Sequence, residues 1–190
     1  MIKEQVFSII ELVHYFLTNL GKLDKWQIIK LVYLADKYHL LQYGRTITND
    51  RYYAMQYGPV ASTLKDILEF DKLSMYPDEY KFATSRIKRV GENGFKSIAA
   101  YKQATSVYLS SSDIEAADYI IEYFGKMSGR ALVKYTHKFP EWKKHEHKFK
   151  TRESRREDIP TIEMFSTIDD KFRAPDEHIE STKGIFLKRA

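Results

Sequence analysis

Leu23-Asp24-Lys25-Trp26-Gln27-Ile28-Ile29-Lys30-Leu31-Val32-Tyr33-Leu34-Ala35-Asp36-Lys37-Tyr38-His39-Leu40-Leu41-Gln42-Tyr43-Gly44 is the stretch on which the fold turns. It opens as a helix should. Asp24 is an N-cap residue, Gln27 stands three positions on where a capping box needs it, and Leu23 can staple against Ile28 across the first turn. Gly44 is the natural stop, because glycine enters the left-handed conformation that ends helices at no steric cost. Between these ends the apolar positions Ile28, Leu31, Val32, Leu34, Ala35, Tyr38 and Leu41 form more than one stripe. A helix apolar on more than one face is buried on more than one face, so 25–43 is predicted to be the central helix of the core.

The flanking sequence supplies the elements that cover it. Upstream, Val6, Ile9, Ile10, Val13, Phe16, Leu17 and Leu20 recur at helical spacing until Gly21. Downstream, 51–57 is extended in character. Gly58-Pro59 then reads as a helix start with Pro at its first position, giving a helix from Pro59 to about Phe70. Residues 82–90 and 95–101 suit two strands, with Gly91-Glu92-Asn93-Gly94 as the hairpin turn. Ser112-Asp113-Ile114-Glu115 has the form of a capping box for a helix through Phe124, closed by Gly125. Ser128 caps a further short helix up to Lys138, and Pro140 stops it.

The 190 residues are 43% hydrophobic and 30% charged, and Gly 8 with Pro 5 is too few for a turn-dense all-β fold. The expected class is mainly α (α+β): a helical domain over 1–145 with a small antiparallel hairpin, and a basic, less regular C-terminal arm over 146–190. Absence of cysteine excludes disulfides, zinc ribbons and thiol chemistry. No signal-peptide pattern opens the chain, and the apolar stretch 6–20 is broken by Glu11, His14 and Asn19, so a cytoplasmic protein outside any membrane is expected.

Lys+Arg 31 against Asp+Glu 26 gives +5. The charge is concentrated. Residues 134–156 hold nine Lys/Arg against Glu141, Glu146 and Glu153, a local +6. With Trp142 and Phe149 interleaved, this run is the basis of a nucleic-acid-binding alternative, through phosphate contacts and stacking. The interspersed glutamates favour a solvated helix face instead. His137, His145 and His147 are close in sequence, but their lysine neighbours oppose cation binding and no third ligand has a standard spacing. The 91–97 stretch fails the Walker A spacing, and no G-x-S-x-G is present. No cofactor, metal or catalytic signature emerges, and the protein reads as a non-enzyme.

Four pieces nonetheless follow one another in a characteristic order: Leu31 to His39, with Leu34-Ala35-Asp36 at its centre; Gly44-Arg45-Thr46-Ile47-Thr48-Asn49-Asp50; Tyr53 to Val60, with Tyr57-Gly58-Pro59; and Thr136-His137 followed by Pro140 and Trp142. This series resembles the Panacea domain family, the SocA-like antitoxins, over about residues 5–145. The resemblance implies a mostly helical domain without a reaction of its own. Such a protein neutralises a cognate protein toxin of a bacterial or phage toxin–antitoxin pair by binding it. One member acts as a proteolytic adaptor delivering its toxin to ClpXP. The physical reading of Leu34, Ala35, Tyr57, Gly58 and Pro59 is structural, since apolar and turn-forming positions build the fold. Partner choice is expected on exposed surface, with the hairpin tip at Glu92-Asn93 and the segment Trp142-Lys143-Lys144 as candidates.

Overall fold

The computed structural model describes residues 3–70, 72, 74–97, 107–172 and 174–189. Its centre is the helix α2 (Lys25–Tyr43), following α1 (Lys3–Leu20) and the two-residue strand β1 (Leu23–Asp24). Both predicted caps are formed. The Asp24 carboxylate accepts the Gln27 amide at 2.8 Å, and the Gln27 side-chain oxygen accepts the Asp24 amide at 3.0 Å. Gly44, at φ 68, donates its amide to the Leu40 carbonyl. Every residue from Ile28 to Lys37 is buried, including Lys30, Asp36 and Lys37. A helix buried all round must find internal partners for its charges, and those partners organise the rest of the molecule.

The next elements differ from the sequence reading at one instructive place. Gly58 and Pro59 do not start a helix. They lie in β3 (Gly58–Ala61), which pairs antiparallel with β2 (Tyr52–Met55) through a tight turn at Gln56-Tyr57, and α3 (Ser62–Glu69) begins only afterwards. Pro59 is on an edge strand of the sheet, where a missing N–H costs no ladder bond. The third strand, β6 (Arg156–Ile159), pairs Ile159 with Tyr52 across more than a hundred residues of chain.

The second correction concerns 82–90. Its first half is helical: α4 (Pro77–Arg86) has Pro at its first turn, and Glu79 accepts the Tyr76 amide at 2.8 Å. Only β4 (Ile87–Val90) is a strand, and it forms the expected hairpin with β5 (Gly94–Ser97), to which β1 adds on the other side. The remainder of the predicted second strand, 98–101, lies outside the described residues. In α5 (Ser111–Phe124) the cap is Ser110 with Asp113 rather than Ser112 with Glu115. Asp113 accepts the Ser110 amide at 2.8 Å, while Ser112 is taken up by the His39 ring. Then come α6 (Gly129–Thr136), α7 (Pro140–Lys143) and α8 (Glu146–Lys150).

The C-terminal arm is more regular than its sequence suggests. After β6 come a 3-10 turn (Thr161–Phe165) and α9 (Asp176–Arg189). These lie against α2, which also packs on α5, α6 and β3. Phe172 is fully buried, and Phe186 meets Phe165 with ring centroids 5.8 Å apart. Ile185 approaches Gly44 so closely that any side chain at 44 would strike it and the Thr182 carbonyl. Leu187 stays exposed. No helix among the described residues is long and apolar enough to cross a membrane.

Candidate functional site

Two interior side chains and a half-buried histidine hold one turn. Trp142 donates its indole N–H to the Met55 carbonyl at 2.8 Å. The His137 ring hydrogen-bonds the Tyr57 backbone, and Lys30 donates to the Pro59 carbonyl at 2.7 Å. The turn 55–59 is thereby anchored at alternate residues from α2, the end of α6 and α7. Gly58 is required here on two counts: its φ is 97, and a Cβ would sit 2.8 Å from Lys30 Nζ and 3.0 Å from Thr136 Oγ1. Thr136 is buried, with its hydroxyl on the Val133 carbonyl. His137 and Trp142 are stacked, centroids 3.6 Å apart and planes 9° from parallel.

Burial, the Lys30 charge and Lys143 push the His137 imidazole down to about 4, against the opposing pull of Glu146, so it is neutral at physiological pH. Burial likewise drives the Lys30 ammonium well below its ordinary range.

The other charges of α2 are met in the same way. Asp36 accepts the amides of Ile47 and Thr48, the Thr48 hydroxyl, and the Tyr52 phenol at 2.7 Å. It thus pins the loop that follows Gly44 and the first residue of β2. Burial pushes this carboxyl up to about 6 in spite of the four donors, which leaves it ionised at neutral pH. Lys37 donates to Glu141 and to the Met164 carbonyl, both at 2.7 Å. Glu141 also accepts from the Tyr33 phenol and from Ser166. Leu34 and Ala35 are fully buried core residues. The motif residues of the sequence are therefore gathered around one helix and one turn.

What the turn presents is a groove of about 640 Å³. Tyr57 and Trp26 stand at its wall, 51% and 41% exposed, packed edge-on at 5.1 Å. Ile29, Met55, Val60 and Phe149 supply apolar lining; Lys25, Lys65, Arg152 and Arg155 supply positive charge. Asn93 reaches it from the hairpin tip, and its carbonyl accepts the Lys25 amide at 2.9 Å. Asn93 is thus at the groove, while Glu92 is exposed at the same tip outside the lining.

Of the segment Trp142-Lys143-Lys144, the two lysines are exposed and Trp142 is placed differently from the expectation. Trp142 is an interior residue, 2% exposed, because its indole N–H and ring face both serve the turn. Lys143 pairs with Glu146 at 2.7 Å and Lys144 with Glu163 at 2.6 Å. Lys148 is on Glu157, and Lys150 on Glu146. Four of the nine cations of the basic run are therefore paired within the chain, on a solvated face. His145 and His147 flank the start of α8, and no group of three or more His, Asp or Glu among the described residues is placed to hold a metal.

Sequence reasoning missed Lys30, Lys37 and Trp26. A lysine inside an apolar helix at 30 and again at 37, two turns apart, was the available signal for the first two. Nothing local marked Trp26, whose exposure depends on the turn opposite.

Comparison with curated proteins and with solved structures gives no match to the chain. The model of one protein family does match, over residues 28–143, a span that runs from the first buried turn of α2 to the end of α7 and contains Lys30, His137 and Trp142, the three side chains hydrogen-bonded to the 55–59 turn. The chain belongs to the family of the antitoxin SocA-like, Panacea domain.

Proposed function

We propose that the protein neutralises a cognate protein toxin by direct binding, with the groove beside the 55–59 turn as part of the contact surface. The observation that carries this reading is that the family's matched span converges on that turn and sets Tyr57 half-exposed at a groove, beside the half-exposed Trp26 that precedes the span. Exposed aromatic side chains over an apolar floor are the composition of interface anchors. The family suggests a role in binding rather than in catalysis. Pairing of Lys143, Lys144, Lys148 and Lys150 with glutamates weakens the nucleic-acid alternative, which needs those cations for phosphates.

The test is co-expression with the product of the adjacent reading frame. Restored growth and a stoichiometric complex on sizing are expected; a toxic neighbour that is neither rescued nor bound would overturn the reading. Comparing toxin levels in cells with and without ClpXP separates occlusion from delivery to the protease. Rescue with an undiminished toxin pool supports occlusion, and rescue that needs ClpXP supports the adaptor role.

A further inference from the structure

We infer that the groove receives an extended segment of the partner toxin in which acidic residues flank an apolar side chain. This rests on the antitoxin reading above and adds the chemistry of the toxin's contacting segment.

Charge is the first argument. Four cationic side chains line the groove, and among the described residues no aspartate or glutamate does. Two of the four are already engaged: Lys25 with Glu69, and Lys65 with Asp66 at 3.8 Å. Arg152 and Arg155 form no ion pair among the described residues and are both exposed. Their guanidinium groups have forked donors that match a carboxylate two bonds at a time. Arg152 is also held at φ 62, a backbone conformation uncommon outside glycine.

The second argument is the floor. Ile29 and Val60 are buried residues whose surfaces close the groove, and Met55 and Phe149 extend them. Methionine accommodates varied apolar shapes. Such a floor takes an aliphatic or aromatic side chain, with Gln56, Asn93 and Ser154 as the uncharged polar groups beside it. Two unpaired guanidinium groups are also few for a nucleic-acid strand, whose binding rests on several phosphate contacts. A peptide carrying one or two carboxylates beside an apolar anchor satisfies both features at once.

The experiment is a fluorescence titration of the full chain with a short synthetic peptide in which glutamate and aspartate flank leucine and phenylalanine. Trp26 at the wall is the reporter. Controls are the same peptide with lysine for each acid, the same with serine for the apolar pair, and an oligothymidylate of similar charge. The acidic apolar peptide should bind, each control more weakly. Arg152→Glu with Arg155→Glu should weaken it on the order of tenfold, consistent with loss of two charge pairs. Trp26→Phe should remove the signal and so separate it from buried Trp142. Arg155→Glu alone keeps the test open if reversal at 152 disturbs its loop.

No binding of the acidic peptide, equal binding to the reversed variant, a signal that survives Trp26→Phe, or tighter binding of oligothymidylate would each overturn the inference. Growth rescue by the unmodified chain reads on the antitoxin role alone. If the unmodified chain rescues and a folded Arg152→Glu/Arg155→Glu variant rescues equally well, the groove is not the contact and the antitoxin role stands.

Discussion

Lys37 and Glu141 form an ion pair at 2.7 Å with both side chains wholly buried, joining the central helix to α7. Burial outweighs the attraction of the carboxylate and lowers the lysine to about 8. Such a pair fixes geometry more than it adds stability, because desolvation offsets the Coulomb gain. Removing one partner is the costly change. Glu141→Ala strands the ammonium and also deprives the Tyr33 phenol and Ser166 of their acceptor. The expected loss is about 3–5 kcal/mol in denaturant unfolding. Lys37→Met combined with Glu141→Met should recover the share due to the stranded ammonium but not the share due to Tyr33 and Ser166, and a double variant as unstable as Glu141→Ala would refute the account.

Gly58 and Gly21 provide an internal comparison of strain with collision. Both have positive φ, 97 and 78, but a Cβ at 21 meets nothing within 4 Å whereas one at 58 meets Lys30 Nζ and Thr136 Oγ1. Gly21→Ala should show the backbone cost alone, about 1 kcal/mol. Gly58→Ala adds displacement of a buried lysine whose hydrogen bond holds Pro59, so its loss should reach about 3 kcal/mol. Thermal melts of the two variants side by side decide it: equal losses would show that Lys30 gives way freely.

These positions also show where sequence is informative. The ends of α2 were legible because Asp24, Gln27 and Gly44 act within one turn of themselves. Its central place was legible because a helix apolar on several faces has only one kind of location. Pro59 was not, since a proline that could open a helix opens none when an edge strand is available. The sheet that makes it an edge pairs 58–61 with its hairpin neighbour 52–55, whose other side is taken by 156–159, far away in the chain. The true start of α3 is sealed from outside the helix, by Asp50 accepting the amides of Thr63 and Leu64 at 3.1 and 2.9 Å. Trp142 gave the same difficulty: an aromatic residue among lysines reads as surface until its acceptor, the Met55 carbonyl, is known.

The stack of His137 on Trp142 makes a pH-dependent prediction. The imidazole stands at about 4 in the folded chain against an ordinary 6.5. The unfolded chain therefore binds the proton more readily, and the stability this residue contributes is complete above about 6.5 and lost as pH falls toward 4. Asp36 acts in the opposite sense: its carboxyl at about 6 against 3.8 contributes stability at low pH that is lost as pH rises through 6. Because Asp36 is common to both proteins, it cancels in a comparison of wild type with His137→Asn. The gap in Tm between the two should be widest at pH 7.5 and narrow steadily down to pH 4.5. A gap independent of pH would mean that His137 keeps an ordinary proton affinity.

Lys143 and Lys144 test where the binding surface ends. Both lysines are well exposed, and each is bound to a glutamate of its own chain, Glu146 and Glu163. Exposed pairs of this kind contribute about 0.2–1 kcal/mol each, since water and salt screen them and ordering two long side chains costs entropy. Lys143→Ala with Lys144→Ala should therefore lower Tm only slightly. Neither residue lines the groove, so the double variant should also restore growth as well as the wild type when co-expressed with the toxin. The reversed arginines at 152 and 155 should not. Loss of rescue in the alanine pair with an unchanged melting temperature would extend the contact surface from the groove across α7, and would make the two lysines exchange their internal glutamates for acids on the toxin.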